Sequence, residues 1–488
     1  MKYISVIGLE IHAELATAKK MFCDCKNDPH ERHPNINVCP VCLGHPGTLP
    51  VANKAAIEAV ILVGMALKGD IPAQSKFDRK NYFYPDLPKG YQISQYDVPL
   101  VFGGMLKGVR LTRVHLEEDT GRLQHAEGSP SEASGRPASL VDFNRASVPL
   151  MELVTEPDIT SADQAVQFAK ELQLILRYLG VSHADIEKGQ MRVEANVSLG
   201  TMVDGKVKLG TKVEVKNIAS FKAVHDAIEY EIERQGEVLA AGEKVKQETR
   251  GWNDGKRATV SQRSKEDAHD YRYFPEPDIP PLDLSKFDLK AIQARLPELP
   301  QAKRTRFSSE YGLSEEQAEI LVQDRDMAAF FENTVSELKT EDKENVKKET
   351  QLIINYLSSD VRGALLQWGI DFQSLKLTPE NFADLIELIS HEKVTSRTAK
   401  DLLNEMVQKG GDPNILLKEK GLEQVSDEGS LMGTVEKILG AHPQAIIDYK
   451  AGKTNALQFL VGKAMAELKG AGNPQILAKL FKSALERR

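Results

Sequence analysis

Short runs of alternating polar and apolar residues recur through the first 285 positions of the chain. Lys2 to Leu15, Arg192 to Leu199 and Thr211 to Val215 alternate with period two, as half-buried strands do. Ile57 to Leu67 and Ala162 to Leu179 instead repeat apolar residues at helical spacing, and Ser161 is placed to cap the second. Glu127 to Pro137, rich in Gly, Ser and Pro, predicts a mobile hairpin tip or loop. Glu276-Pro277-Asp278-Ile279-Pro280-Pro281 predicts an extended linker, because each proline restricts itself and the residue before it. Beyond it the pattern turns helical from Leu289 to about Val407, and Gly410-Gly411-Asp412-Pro413 marks a second break. The last 60 residues predict short helices opened by Pro443 and Pro474. No solenoid-type repeat is visible. The expected fold class is α+β. A cradle on a largely antiparallel sheet spans 1–285, a helical domain 286–408 and a small all-helical tail 409–488.

One face of the alternating segments is repeatedly acidic. Glu10, His12 and Glu14 share a face, with Leu9 and Ile11 opposite. His115, Glu117 and Asp119 share another, as do Arg192, Glu194, Asn196 and Ser198, and Lys212, Glu214 and Lys216. One such face is what a solvated sheet presents. Four of them with interleaved Lys and Arg point to a divalent cation and phosphate groups. Hard oxygen ligands suit Mg²⁺, and phosphoryl transfer needs metal and cationic groups around the migrating phosphoryl. No Walker-type loop competes for the nucleotide. Ala451-Gly452-Lys453-Thr454 has Ile447 where the earlier glycine belongs, and no strand precedes it. It reads as a turn entering a helix, so any ATP site must be the acidic one.

All four cysteines fall within 20 residues, as Cys23-Asp24-Cys25 and Cys39-Pro40-Val41-Cys42. Two close pairs joined by a short loop let four thiolates converge tetrahedrally on Zn²⁺, and four protein ligands leave no open position, so the metal would be structural. Four unligated thiols, a redox pair, a Cys42–His45 nucleophile pair, or substitution by His30, His33 or His45 are the other readings of the same residues. A second dense patch runs from Phe77 to Gln92. Charged, amide and aromatic side chains alternate there with Pro and Gly, a crowding that suits a polar site orienting a substrate.

Composition narrows the function. At 488 residues two to four domains are expected, and a net charge of −8 excludes a polycation, so nucleic-acid contact must be local. Residues 429–488 supply such a place, with nine Lys/Arg against four Asp/Glu. The N-terminus does not fit a signal peptide, and the longest apolar run, Ala59 to Leu67, is too short to span a bilayer. A cytoplasmic protein without membrane contact is expected.

The Phe77–Gln92 patch also closely resembles a signature of the B-subunit family of glutamyl/aspartyl-tRNA amidotransferases (GatB/GatE). Gly8-Leu9-Glu10-Ile11-His12, His115-Leu116-Glu117-Glu118-Asp119, Asp142-Phe143-Asn144-Arg145 and Asp270-Tyr271-Arg272-Tyr273-Phe274-Pro275-Glu276-Pro277-Asp278 match the same family in the same order. Asn455 to Glu486 resembles its YqeY-like tail, which implies a tRNA grip. The resemblance implies ATP-dependent transamidation: the side-chain carboxylate of a mischarged Glu-tRNA(Gln) or Asp-tRNA(Asn) is phosphorylated and then amidated by ammonia. It implies Glu10, His12, Glu118 and Glu214 as Mg²⁺ ligands, with Glu194 matching a further acidic position. Alternation favours Glu117 and the motif favours Glu118, so both stay open. Lys80 is implied as a gate or ammonia-orienting group, with Arg79, Asn81, Tyr82, Tyr84, Lys89, Tyr91 and Gln92 along the path. Two positions depart from the family pattern: Glu194 stands for the usual Asp, and Ala219 for the usual Asn. Some family members lack the cysteines, which suits a supporting zinc. With the cysteines explained as ligands and no serine-lysine amidase signature, the nitrogen must come from elsewhere. The resemblance implies an amidase subunit (GatA) and a small subunit (GatC). A zinc-stabilised tRNA scaffold and an ATP-dependent ligase of a small carboxylic acid are the two rival functions.

Overall fold

A computed structural model describes residues 3–130, 137–264, 271–339, 342–421, 428–453, 455–468 and 472–487. The chain divides into two compact units, Met1–Pro300 and Gln301–Arg488.

The first unit carries β1 (Tyr3–Glu14), α1 (Lys54–Ala66), β2 (Gln74–Ser75), β3 (Asp78–Asn81), β4 (Tyr91–Ser94), β5 (Val101–Phe102), β6 (Met105–Leu106), β7 (Val109–Glu118), β8 (Arg122–Pro130) and β9 (Pro137–Asp142). There follow β10 (Pro149–Thr155), α2 (Ala162–Tyr178), β11 (Met191–Val203), β12 (Lys206–Lys208), β13 (Val213–Lys216), α3 (Phe221–Ala240), β14 (Glu248–Asn253), β15 (Ala258–Ser264), β16 (Phe274–Pro275), β17 (Leu282–Asp283) and α4 (Leu289–Ala294). The main sheet runs β15-β14-β13-β11-β1-β10-β7-β5, with β12 on β11 and β6 on β7. Its pairs are antiparallel except β13–β14, which is parallel.

Alternation gives this sheet one apolar face. Ile11, Leu153, Val114 and Val193 fall in register across four strands and join a core with Val60, Ile61, Phe168, Leu172, Val224 and Ile228 of the three long helices. Each such residue contributes about 2 kcal/mol by leaving water, so truncating Leu153 to Ala would cost about 2–5 kcal/mol. Ser161 caps α2 as expected, its hydroxyl accepting the Gln164 N–H at 3.2 Å. The hairpin expected over 127–137 begins in the β8–β9 pair, and residues 131–136 lie outside the described residues.

The proline-rich segment is extended, and it adheres to the first unit. Phe274 pairs with Arg79, and Leu282 with Ser75. α4 then buries Ile292, and Arg295 reaches Glu58 at 3.1 Å. The compact unit therefore continues past residue 285 to Pro300.

The second unit is helical throughout its described elements, beginning at Gln301. Asp412 caps the helix Pro413–Lys420, with Pro413 in its first turn, and Gly421 ends it at a positive φ of 60°. Helices Pro443–Lys450 and Pro474–Arg487 open on the expected prolines. With Glu428–Ala441 and Asn455–Glu467 they bury Leu431, Val435, Leu460, Leu477 and Phe481. Gly452, at φ 82°, makes the expected turn ahead of Asn455, while Thr454 lies outside the described residues. No described helix is long and apolar enough to cross a membrane.

Candidate active site and metal centres

The polar face of the main sheet gathers side chains from five strands. Register puts His12 of β1 between Glu152 of β10 and Arg192 of β11, and Glu10 directly opposite Glu194. Glu152 in turn faces His115 of β7, and Asn196 faces Glu214 of β13. Directly opposed residues of an antiparallel pair point to the same side, so the run from Glu117 to Glu214 is one surface. Three groups on it bring ligand atoms within 4.8 Å of one another: His115, Glu117 and Glu152; Glu10, His12 and Glu152; and Glu10, Glu194 and Glu214.

Opposed carboxylates repel, and the site meets that with interleaved cations. Glu152, almost fully buried, lies 3.3 Å from both His12 Nε2 and His115 Nε2. Burial opposes its charge, but His115 and His12 hold the carboxyl well below the usual range. For His12 burial acts downward, and the hydrogen bond and charge of Glu152, aided by Glu117 and Glu194, reverse it and push the imidazole up to about 9. Burial and the neighbouring Glu152 raise Glu10. Lys216 sits 2.8 Å from Glu194 Oε2 and 3.3 Å from Glu214 Oε1, and Thr249 Oγ1 donates to Glu214 at 2.8 Å. Ligands of an octahedral Mg²⁺ stand about 3 Å apart when adjacent and about 4 Å across, so the carboxylate groups fit such an ion.

β3, β4 and β16 form a small sheet beside this face. Lys80 Nζ comes within 3.8 Å of Glu117 Oε2 and 5.2 Å of the Tyr271 ring centre. Burial would lower it, but Glu117 and Glu152 hold it well above the ordinary lysine range. Arg79 makes a two-pronged pair with the buried Glu276, 2.7 and 2.9 Å, and stacks 4.3 Å over the Tyr91 ring. Burial raises the Tyr91 phenol to about 12. Tyr82 Oη donates to Gln92 Oε1 at 3.2 Å, and Asn81 Nδ2 donates to the carbonyls of Tyr271 and Arg272. Tyr84 is largely exposed.

The two adjacent glutamates part company here. Glu117 joins the His115 and Glu152 group and accepts from Ser94 Oγ at 3.0 Å. Glu118 accepts the Ile93 N–H at 2.9 Å and pairs with Lys89 Nζ at 2.7 Å. Of the expected acidic set, Glu10, His12, Glu117, Glu194 and Glu214 therefore share the face, and Glu118 is turned to the 89–93 segment. Glu152 was not anticipated. Its only sequence signal is a lone acid between Met151 and Leu153 in an apolar strand.

Cys23, Cys25, Cys39 and Cys42 also converge, with all four sulfurs within 4.8 Å of one another. Sulfurs about a tetrahedral Zn²⁺ stand about 3.8 Å apart, so the four fit that ion. The Cys39 N–H donates to Cys42 Sγ at 3.1 Å. The Cys42 thiol is pulled down to about 5, first by the Cys23 hydrogen bond, with burial opposing and Lys20 assisting. The same loop braces the site beside it. A Cβ on Gly44 would stand 2.5 Å from Lys89 Cγ, and Lys89 is the partner of Glu118.

Comparison with known proteins gives matches along most of the chain. A family model described as the GatB/GatE catalytic domain matches residues 5–290, and a model described as the GatB domain matches 330–485. The B subunit of aspartyl/glutamyl-tRNA(Asn/Gln) amidotransferase from Dehalococcoides mccartyi is 46% identical over 497 residues, covering 99% of each chain. The proteins of the same name from Thermomicrobium roseum and Thermotoga maritima are 45% and 44% identical, covering 100% of this chain and 99% and 100% of theirs.

Proposed function

The chain belongs to the GatB/GatE family, and from that premise we propose that its acidic sheet face is where the carboxylate of a tRNA-bound residue is activated. The protein acts in the transamidation of misacylated Glu-tRNA(Gln) and Asp-tRNA(Asn) as the B subunit, a carbon–nitrogen ligase. The observation that carries the proposal is the continuous run of carboxylates and imidazoles from Glu117 to Glu214, interleaved with Lys80 and Lys216.

Amide formation from a carboxylate needs a leaving group. In the proposed first step a carboxylate oxygen of the tRNA-bound side chain attacks the γ-phosphorus of ATP, giving an acyl phosphate and ADP. Ammonia then attacks the acyl carbon and expels inorganic phosphate. Glu10, His12, Glu152, Glu194 and Glu214, with Glu117 at the edge, would hold Mg²⁺, whose charge offsets that of the phosphates when bound. His12 must give up a proton to ligate, because Glu152 keeps it protonated otherwise. Lys80 stays an ammonium and so has no lone pair for base chemistry. It can steady a developing oxyanion, and as a cation on the nitrogen path it favours neutral ammonia over ammonium. Arg79, bound to Glu276, holds the 274–278 segment along β3 and thereby aims Lys80. Asn81, Tyr82, Tyr91 and Gln92 offer a polar path to that point, Tyr84 lies at its open end, and Lys89 with Glu118 fixes its far wall.

The ammonia source is an amidase subunit (GatA) with a small subunit (GatC), and the four cysteines hold a structural zinc. The basic helical tail grips the tRNA. Replacing Glu10 by Ala in the assembled complex should abolish tRNA-dependent ATP turnover while tRNA affinity stays near wild type. Normal turnover in both Glu10→Ala and Glu214→Ala would put the chemistry elsewhere.

A further inference from the structure

Lys20 is an anomaly that the transamidation chemistry does not use. Lys19 beside it is exposed, but Lys20 is completely buried. Its ammonium has two partners: Cys42 Sγ at 4.0 Å and the Phe143 carbonyl at 3.3 Å. No carboxylate pairs with it among the described residues. Its backbone is part of the cysteine loop, the N–H donating to Cys25 O at 3.0 Å and the carbonyl accepting from Asn53 Nδ2 at 3.1 Å.

A buried ammonium is unfavourable unless an anion faces it. Four neutral thiols supply none. Four thiolates around one Zn²⁺ leave two net negative charges, and a cation at the sulfur edge then has a strong partner. We propose that Lys20 is the counter-charge of the four-cysteine centre and sets how tightly that centre keeps its ion. The inference rests on the reading of the cysteines as a zinc site. It adds a positioning residue, one that stabilises the thiolate set through charge without ligating.

The alternative role for Lys20 is packing, its four-carbon stem filling space beside the loop. Methionine fills nearly the same volume without charge, so Lys20→Met separates the two. Charge compensation predicts a reversal. With zinc bound, the variant should release metal to a chelator about ten- to a hundredfold faster than wild type, the range for loss of a supporting group around a metal site. With zinc stripped, the variant should be at least as resistant to urea as stripped wild type, because an uncompensated buried charge has gone. Lys20→Arg, which keeps the charge, should release zinc close to the wild-type rate.

The test uses the full-length chain, zinc release to a colorimetric chelator, and urea midpoints of the metal-free forms. Faster release from Lys20→Met, rescued in Lys20→Arg, with no loss of metal-free stability, supports the proposal. Equal release rates would overturn it. So would a Lys20→Met chain that is weaker in both forms or does not fold, since packing alone accounts for that. Wild-type protein that binds no zinc would instead remove the zinc reading itself, an outcome seen before any variant is made.

Discussion

Glu152→Gln is the most discriminating perturbation of the acidic face. It keeps the side-chain shape and one acceptor while deleting the charge that sits 3.3 Å from both His12 and His115. His12 is held at about 9 against an ordinary 6.5, and Glu152 is the main upward influence. That difference corresponds to at most about 3 kcal/mol of interaction between imidazolium and its surroundings. For a base whose folded pKa is raised, this stability is fully present below pH 6.5 and is lost as pH rises through about 9. In metal-free wild type the first unit should therefore lose stability across that window. In Glu152→Gln the His12 midpoint should fall well below about 9, because only the weaker pull of Glu117 and Glu194 then opposes burial, and the loss across the window should flatten. Removing one partner of a buried pair should also lower stability by about 3 kcal/mol near pH 6. Ring-carbon labelling of histidine, assigned with His12→Gln, reads the midpoint. Trp252 fluorescence in a Trp368→Phe background reads urea unfolding of the first unit. A His12 midpoint within half a unit of wild type, or an unchanged pH slope, would refute the electrostatic account of this site.

Glu14 titrates in the same direction, because burial and the nearby Asp119 raise its carboxyl to about 7. An acid so raised contributes its full stability below pH 4.5 and loses it as pH rises through about 7, so Glu14→Gln should gain up to about 3 kcal/mol above pH 7 and little at pH 4.5. A mutant-minus-wild-type urea midpoint that does not grow with pH would contradict this. Cys39→Ser, or chelation, should lower the stability of the first unit and reduce activity only as a consequence; metal analysis well below one zinc per chain in wild type, with all four thiols titratable, would count against the centre. Deleting residues 412–488 should raise the KM for tRNA and flatten its salt dependence, because a few phosphate contacts are lost, while glutaminase activity without tRNA persists. An unchanged salt slope would exclude the tail from the tRNA grip.

Local periodicity carried much of the fold and part of the site. Period two forces Glu10 and His12, or Glu194 and Asn196, onto one face wherever those strands lie, and the carboxylates announced themselves as a polar surface. The cap at Ser161 and the prolines at 443 and 474 are equally local, since each satisfies or omits hydrogen bonds of the first helical turn. The four cysteines were legible for a related reason: a short loop between close pairs is enough to bring the sulfurs together.

The rest depended on which distant segments pair. Glu152 reads as a stray acid in Pro149–Thr155 until register sets it against His12, 140 positions earlier, and His115. Lys19 and Lys20 are the same residue type in adjacent positions, yet one is solvated and one lies against a thiol, because the loop around them closes on Phe143. Glu117 and Glu118 likewise differ only in the side of the strand they occupy, which alternation can state but which Ser94, Ile93 and Lys89 make real. The sequence by itself determined which side chains travel together on one strand or helix. Tertiary structure decided which of those sets meet, because the charge and burial that give a group its chemistry come from residues far away in the chain.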